Sequence, residues 1–346
     1  TQMFKHRNPI FFLFLFCFLS IPLLSQVITI DSHIDIPFDY MENPQHDPGK
    51  ITDMQVDLAK MKKGGLDSGF FVVYVPQGLL DKAGFKKAKL LAEKKFLAIS
   101  KMTKTYSNQI GLALAPEDII QLKNNNLLSA AIGIENGYVI GEDLSLLDHY
   151  YSLGARYMTL THIGHNQIAD SSIPSKRLND EEELHGGISA FGKKAIKRMN
   201  KLGMKIDISH ISDKASLEAI KLSSAPVIAS HSCVKSIADH PRNISDELLF
   251  ALKENEGVIQ ITAFANYVKV NNNRFNSIIS LGNKVAKLYG DDSFNPSLHS
   301  NKKEYLEGIE NINMEFPMPD IDDFIDHIDY VVTVSYTHLR AHETAT

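Results

Sequence analysis

The chain has 346 residues, of which 44% are hydrophobic and 22% charged, with a formal net charge of -5. That balance excludes an intrinsically disordered chain, and the lack of a basic surplus excludes an electrostatic nucleic-acid binder. The length accommodates one large α/β barrel or two ordinary domains.

The first segment reads as an address rather than as part of a fold. Residues 11–24 are apolar apart from Ser20, follow the basic Lys5-His6-Arg7, and lead to the small Ser25 before Gln26. A membrane-spanning helix needs about 20 apolar residues, so residues 1–25 are predicted to be a cleaved signal peptide that makes the protein secreted or periplasmic. Membrane contact is expected only through that segment if it stays uncleaved. Cys17 lies within it and lacks the small residues that precede a lipid-modified cysteine, which leaves Cys233 with no intramolecular disulfide partner.

From Gln26 onward, β-branched or apolar runs alternate with segments of helical period, the order of a parallel sheet flanked by helices. The runs cover 27–36, 69–75, 129–135, 157–162, 205–210, 226–231 and 257–263, with helices predicted over 86–106, 116–123, 191–202 and 213–222. A doubly wound open sheet would carry a Gly-rich phosphate turn after its first strand. Here that strand runs into His33-Ile34-Asp35, which favours a TIM-type (β/α)8 barrel.

Residues 266–317 are rich in Asn and charge and are expected to form a long excursion after the seventh run, on the face where barrels carry active sites. Ile321, Phe324, Ile325, Ile328 and Val331 then keep helical spacing behind Pro319-Asp320. No eighth strand pattern follows. Residues 335–346 have neither alternation nor an apolar face and resemble the translated read-through of a sequencing adapter. The expectation is therefore a catalytic barrel over 26–334, short of its eighth strand, and a non-native tail over 335–346 whose His338 and His342 carry no metal argument.

Polar residues interrupt the apolar runs near their carboxyl ends: His33 and Asp35 in the first, Glu135 in the third, His162 in the fourth, His210 in the fifth and His231 in the sixth. In a barrel those ends converge on one mouth. The strand period of two points His33 and Asp35 to one face, within reach of one metal. Imidazole with carboxylate favours zinc or a similar divalent ion, and the two oxygens of Glu135 can bridge a metal pair. A lone histidine is more often a packed core or surface residue, but coincidence on five runs argues for a site.

Several blocks now carry a family resemblance. They are Ile30-Asp31-Ser32-His33-Ile34-Asp35-Ile36-Pro37, Gln55-Val56-Asp57-Leu58 with Gly64-Gly65, Tyr74-Val75-Pro76, and Gly133-Ile134-Glu135-Asn136-Gly137. Tyr157 to His162 with Asn166, Phe191-Gly192, Asp207-Ile208-Ser209-His210, Ser230-His231-Ser232 and Arg242-Asn243 follow in order. Together they resemble the membrane (renal) dipeptidase family, the zinc-dependent metallopeptidase family M19, over roughly residues 27–332.

The resemblance implies hydrolysis of small dipeptides by a metal-bridging hydroxide in a binuclear zinc site. His33 and Asp35 would hold one ion, His210 and His231 the other, and Glu135 both. It further implies that His162 contacts substrate and steadies the tetrahedral intermediate, that Arg242 pairs with the substrate carboxylate, that Tyr267 lies near the substrate, and that a homodimer can form. The family's acid/base aspartate, in a Gly-Ser-Asp-Phe-Asp-Gly-like segment, has no counterpart in this sequence. Two alternatives stay open: a related amidohydrolase acting on a β-lactam or an N-acyl amino acid, and an inactive chain or binding protein on the same fold. His165, His185 and His240 receive no role.

Overall fold

The computed structural model describes residues 27–335, so the predicted signal peptide and the tail beyond Ser335 lie outside the described residues. Eight strands form one parallel sheet: β1 (Ile30–Asp35), β2 (Ser68–Tyr74), β3 (Ile110–Leu112), β4 (Leu128–Glu135), β5 (Ala155–Thr159), β6 (Lys205–Asp207), β7 (Ile228–Ser232) and β8 (Val258–Ile261). Their spatial order is β1-β2-β4-β5-β6-β7-β8, with helices around them in a nearly closed barrel.

The seven predicted runs are all strands. The addition is β3, three residues whose brevity hides any periodicity. It pairs with the start of β4, Ile110 against Leu128, while β5 pairs with the second half, from Ile132 onward. β2 takes the whole opposite edge of β4, from Ser68 against Ser129 to Tyr74 against Glu135.

Strand ends differ from expectation in a way that matters for chemistry. β5 stops at Thr159 and β6 at Asp207, so His162 and His210 stand in turns just beyond the sheet rather than within it. Among the described residues no strand joins β8 to β1. A side chain spans that interval: Ser32 N donates to Gln260 Oε1 at 2.9 Å. Ser32 Oγ meanwhile donates to the Ser230 carbonyl at 2.5 Å, tying β1 to β7 across the interior.

Local sequence explains the helices. Asp81 accepts from Gly84 N to start Lys82–Thr105, whose Ala88, Ala92, Phe96, Ile99 and Met102 recur at helical spacing and are buried. Ser189, Ser212 and Ser245 cap Ala190–Leu202, Asp213–Leu222 and Asp246–Glu254 in the same manner. Gly192 has to be glycine: a Cβ there would stand 2.2 Å from the Ile168 carbonyl oxygen, so only a bare backbone lets this helix approach.

The excursion after β8 is largely helical, with Asn272–Leu288 and Lys303–Glu315 packed together before the final helix Ile321–Ser335. His327 fastens that last helix, accepting from Val234 N at 3.0 Å and donating to the Val268 carbonyl at 2.9 Å. Between this helix, Asp246–Glu254 and β8 lies an apolar groove of about 560 Å³, lined by Leu252, Val258, Ile261, Phe324, Ile328 and Val331 among others.

Candidate metal centre

The barrel mouth gathers the predicted residues around one carboxylate. Glu135, the last residue of β4, is buried, with Oε1 3.0 Å from His210 Nε2, 3.4 Å from His231 Nε2 and 3.6 Å from His162 Nε2. Its other oxygen, Oε2, lies 3.5 Å from His33 Nε2. Two compact donor groups share it: His33, Glu135 and His231, and Glu135, His162 and His210, each with donor atoms within 4.8 Å of one another.

The resemblance implies a different partition, with His231 beside His210, and those two Nε2 atoms are indeed 2.9 Å apart. Asp35 belongs to neither compact group. Its Oδ1 lies 4.0 Å from His33 Nε2, and its side chain keeps 71% exposure. Four imidazole nitrogens and a carboxylate aimed at one point are a donor set that suits a divalent cation.

The electrostatics follow from crowding. Burial alone would raise the Glu135 carboxyl, but His33 and hydrogen bonds from His210, His231 and His33 hold it well below the usual range. Burial lowers His210 well below its ordinary value, reinforced by Arg242, and lowers His231 to about 4, reinforced by His33. His162 is lowered for the same leading reason. Only His33 moves up, because the neighbouring Glu135 overcomes its burial. Asp35 is raised, first by the protein atoms crowding the mouth around it, although its side chain itself stays open to solvent, and then by the charge of Glu135. Three of the four imidazoles are thus shifted towards the neutral form, the form in which a ring nitrogen can accept a metal.

Two site residues sit in the left-handed region, His210 at φ 72° and Asn136 at φ 82°. Such strain costs about 1–3 kcal/mol for a non-glycine residue and persists where surroundings over-determine it. Asn136 is held by its own amide, which donates to the Val75 carbonyl and to Gln77 Oε1, both at 3.1 Å, and accepts from Asn166 Nδ2 at 3.0 Å. The carbonyl of His210 is fixed by Ser172 N at 2.7 Å. These contacts aim the Glu135 and His210 side chains inward.

Arg242 lies beside the cluster and is buried, with Nη2 donating to the His231 carbonyl at 3.0 Å and its guanidinium 5.2 Å from the centre of the Tyr267 ring. Its Nε has no hydrogen-bond partner. A buried guanidinium with an unused donor is suited to a planar anion such as a carboxylate. Tyr267 thus packs against the Arg242 guanidinium.

Several residues escaped the sequence reading. Lys95 is buried with Nζ donating to the Ile36 carbonyl at 2.7 Å, beneath the rings of Phe38 and Tyr74, and desolvation lowers it to about 8. Tyr74 in turn packs on the His162 ring, centroids 4.7 Å apart. Tyr157, Asp207 and Ser230 back the histidines; a carboxylate interrupting the apolar β6 was the available signal for Asp207. His165 and His185 staple the loop after β5, through the carbonyls of Glu181 and Asn166.

Comparison with known proteins places this arrangement. The model of the membrane dipeptidase family, peptidase family M19, matches residues 20–337. This chain belongs to that family. A dipeptidase of Clonostachys rogersoniana is 30% identical over 256 residues, 70% of this chain and 64% of the relative. Dipeptidase 3 of Mus musculus is 30% identical over 248 residues, 70% of this chain and 48% of the relative. The chain therefore spans about half to two thirds of the length of these curated family members. Among solved structures, the probable dipeptidase PvdM of Pseudomonas aeruginosa superposes with a TM-score of 0.76 at 27% identity, covering 90% of this chain and 81% of that one. A metallo peptidase of Rhodobacter sphaeroides, solved with a phosphinate mimic of the dipeptide L-Ala-D-Ala, shares the fold at a TM-score of 0.62 and 18% identity, covering 83% of this chain and 82% of that one.

Proposed function

We propose that this chain is a metal-dependent dipeptidase with zinc as its metal and two ions per chain. The observation that carries the reading is the convergence of His33, His162, His210 and His231 on Glu135, with the buried Arg242, whose Nε has no hydrogen-bond partner, beside them. Glu135, which belongs to both donor groups, would be shared between the ions, and Asp35 would complete the coordination next to His33. When bound, zinc polarises the scissile carbonyl and brings the pKa of water towards neutrality.

The chain's own groups would do the rest. Arg242 binds the carboxylate of a dipeptide, and Tyr267 supports the guanidinium from its face. His162, neutral and partly open to solvent, is placed to donate a hydrogen bond to the carbonyl oxygen as negative charge develops there. Lining the mouth with neutral imidazoles keeps proton competition for the ligand nitrogens low above their lowered pKa values.

Purified full-length chain is expected to hold about two zinc ions, as in two-metal hydrolases, and to cleave simple dipeptides. Elemental analysis and a dipeptide assay check this, with a β-lactam and an N-acyl amino acid as alternative amides. No bound zinc, and no dipeptide cleavage after zinc is restored, would defeat the proposal. Zinc binding without cleavage of any amide would favour a binding protein instead. Export through a cleaved signal and a homodimeric assembly are part of the same reading, checked by N-terminal sequencing of the exported protein and by its mass in solution. No helix among the described residues is long and apolar enough to cross a membrane.

A further inference from the structure

Two of the four imidazoles have their remote nitrogen engaged by a hydroxyl whose own proton is committed elsewhere. Ser230 Oγ donates to Asp207 Oδ2 at 2.6 Å and lies 2.8 Å from His231 Nδ1. Asp207 is wholly buried, and its two oxygens also receive Ser209 N and Ser230 N, each at 3.0 Å, and the hydroxyl of Thr159. Four donors thus converge on this one carboxyl, which accepts from each. The single Ser230 proton then points at Asp207, and the hydroxyl oxygen can only accept from His231 Nδ1–H.

His33 shows the same logic with different residues. Tyr157 Oη donates to the Ser32 carbonyl at 2.9 Å and lies 3.1 Å from His33 Nδ1. A carbonyl cannot donate, so the phenol proton goes to Ser32 and the phenol oxygen accepts from His33 Nδ1–H. The ring of Tyr157 is seated by Gly133, where a Cβ would stand 2.1 Å from Tyr157 Cζ. His210, by contrast, is buried with no hydrogen-bond partner on Nδ1.

We infer that Tyr157 and the Ser230–Asp207 pair are positioning residues that engage the Nδ1–H of His33 and His231 and so turn Nε2 of each towards the metal centre, while His210 has no such lock. This rests on the metal-dependent reading above. Outer partners of this kind typically affect metal affinity by about 10–100-fold.

The test has two arms on the full-length chain. In metal-free protein, long-range ¹⁵N–¹H correlation spectra should show a proton on Nδ1 of both His33 and His231; a bare Nδ1 on either would overturn the inference without any variant having to fold. In the second arm, Ser230→Ala and Tyr157→Phe are titrated with zinc against a chromogenic chelator. Each should weaken zinc binding by about 10–100-fold, and Ser230→Thr, which keeps the hydroxyl, should recover most of the loss. Wild-type affinity in both truncated variants would overturn the inference while leaving the dipeptidase reading intact. A wild-type chain that binds no zinc would instead defeat that reading and leave the tautomer spectra to be judged alone.

Discussion

Every residue of β4 is buried, whereas each residue of β8 keeps some exposure, with Val258 more than half exposed. β4 has neighbours on both edges, β2 on one and β3 with β5 on the other; among the described residues β8 pairs only with β7. The chemistry follows the difference. Glu135 ends the strand whose position is fixed from all sides, while beyond β8 lie an apolar groove and a side-chain bridge to β1. A carboxylate that must meet four imidazoles within a few ångströms needs the rigid strand; the edge tolerates more variation.

The largest expected contrast is in function. Glu135→Gln keeps the shape but removes the shared charge, and should lower both dipeptide turnover and bound zinc, turnover by at least about 100-fold. An equally large effect from Gln260→Ala on β8 would break the comparison. In stability, Ile132→Ala in β4 leaves a cavity where nothing can collapse and should cost about 2–5 kcal/mol. Ile261→Ala in β8 should cost about 1 kcal/mol, because the side chain is already partly in water. Urea midpoints of the two variants measure the difference.

A pH series sharpens the account of the rigid side. His231 titrates near 6.5 in the unfolded chain but near 4 when folded, so between those values the unfolded chain binds more protons and metal-free protein loses stability as pH falls. His210 and His162, also lowered, act in the same sense, and His33, which is raised, opposes them. Urea midpoints at pH 7, 5.5 and 4.5 in the presence of a chelator should fall in that order; a midpoint that rises on acidification contradicts the assignment. Arg242→Lys should raise KM for a dipeptide about 10-fold, with a smaller change in kcat, because a point charge replaces a fork. A similarly small effect is expected of Gln260→Ala, about 0.5–1.5 kcal/mol for one hydrogen bond lost at the open interval.

Much of this was legible in the linear chain, for identifiable reasons. Seven strands announced themselves because buried parallel strands read as continuous apolar runs, and a histidine or carboxylate inside such a run stands out. β3 was hidden by its length. His162 and His210 were read as strand residues, and the difference lies in where backbone pairing stops, which depends on neighbouring strands rather than on local pattern. Lys95 gave no signal among the lysines of its helix, since only packing shows which one turns inward. The segment after β8 read as a polar excursion because its helices are short of apolar residues, yet caps and tertiary contacts suffice to form them.

The sequence by itself determined the alternation of strands and helices, the residue types that bind a divalent cation, and the family, because these depend on spacing and chemistry along the chain. The tertiary structure decided which donors share Glu135, that Asp35 stands outside the compact groups, and which hydroxyls hold the remote nitrogens of His33 and His231. Most of those are distances between residues far apart in the chain, such as His33 and Tyr157 or Glu135 and His210, and only the curling of the sheet brings the strand ends that carry them together.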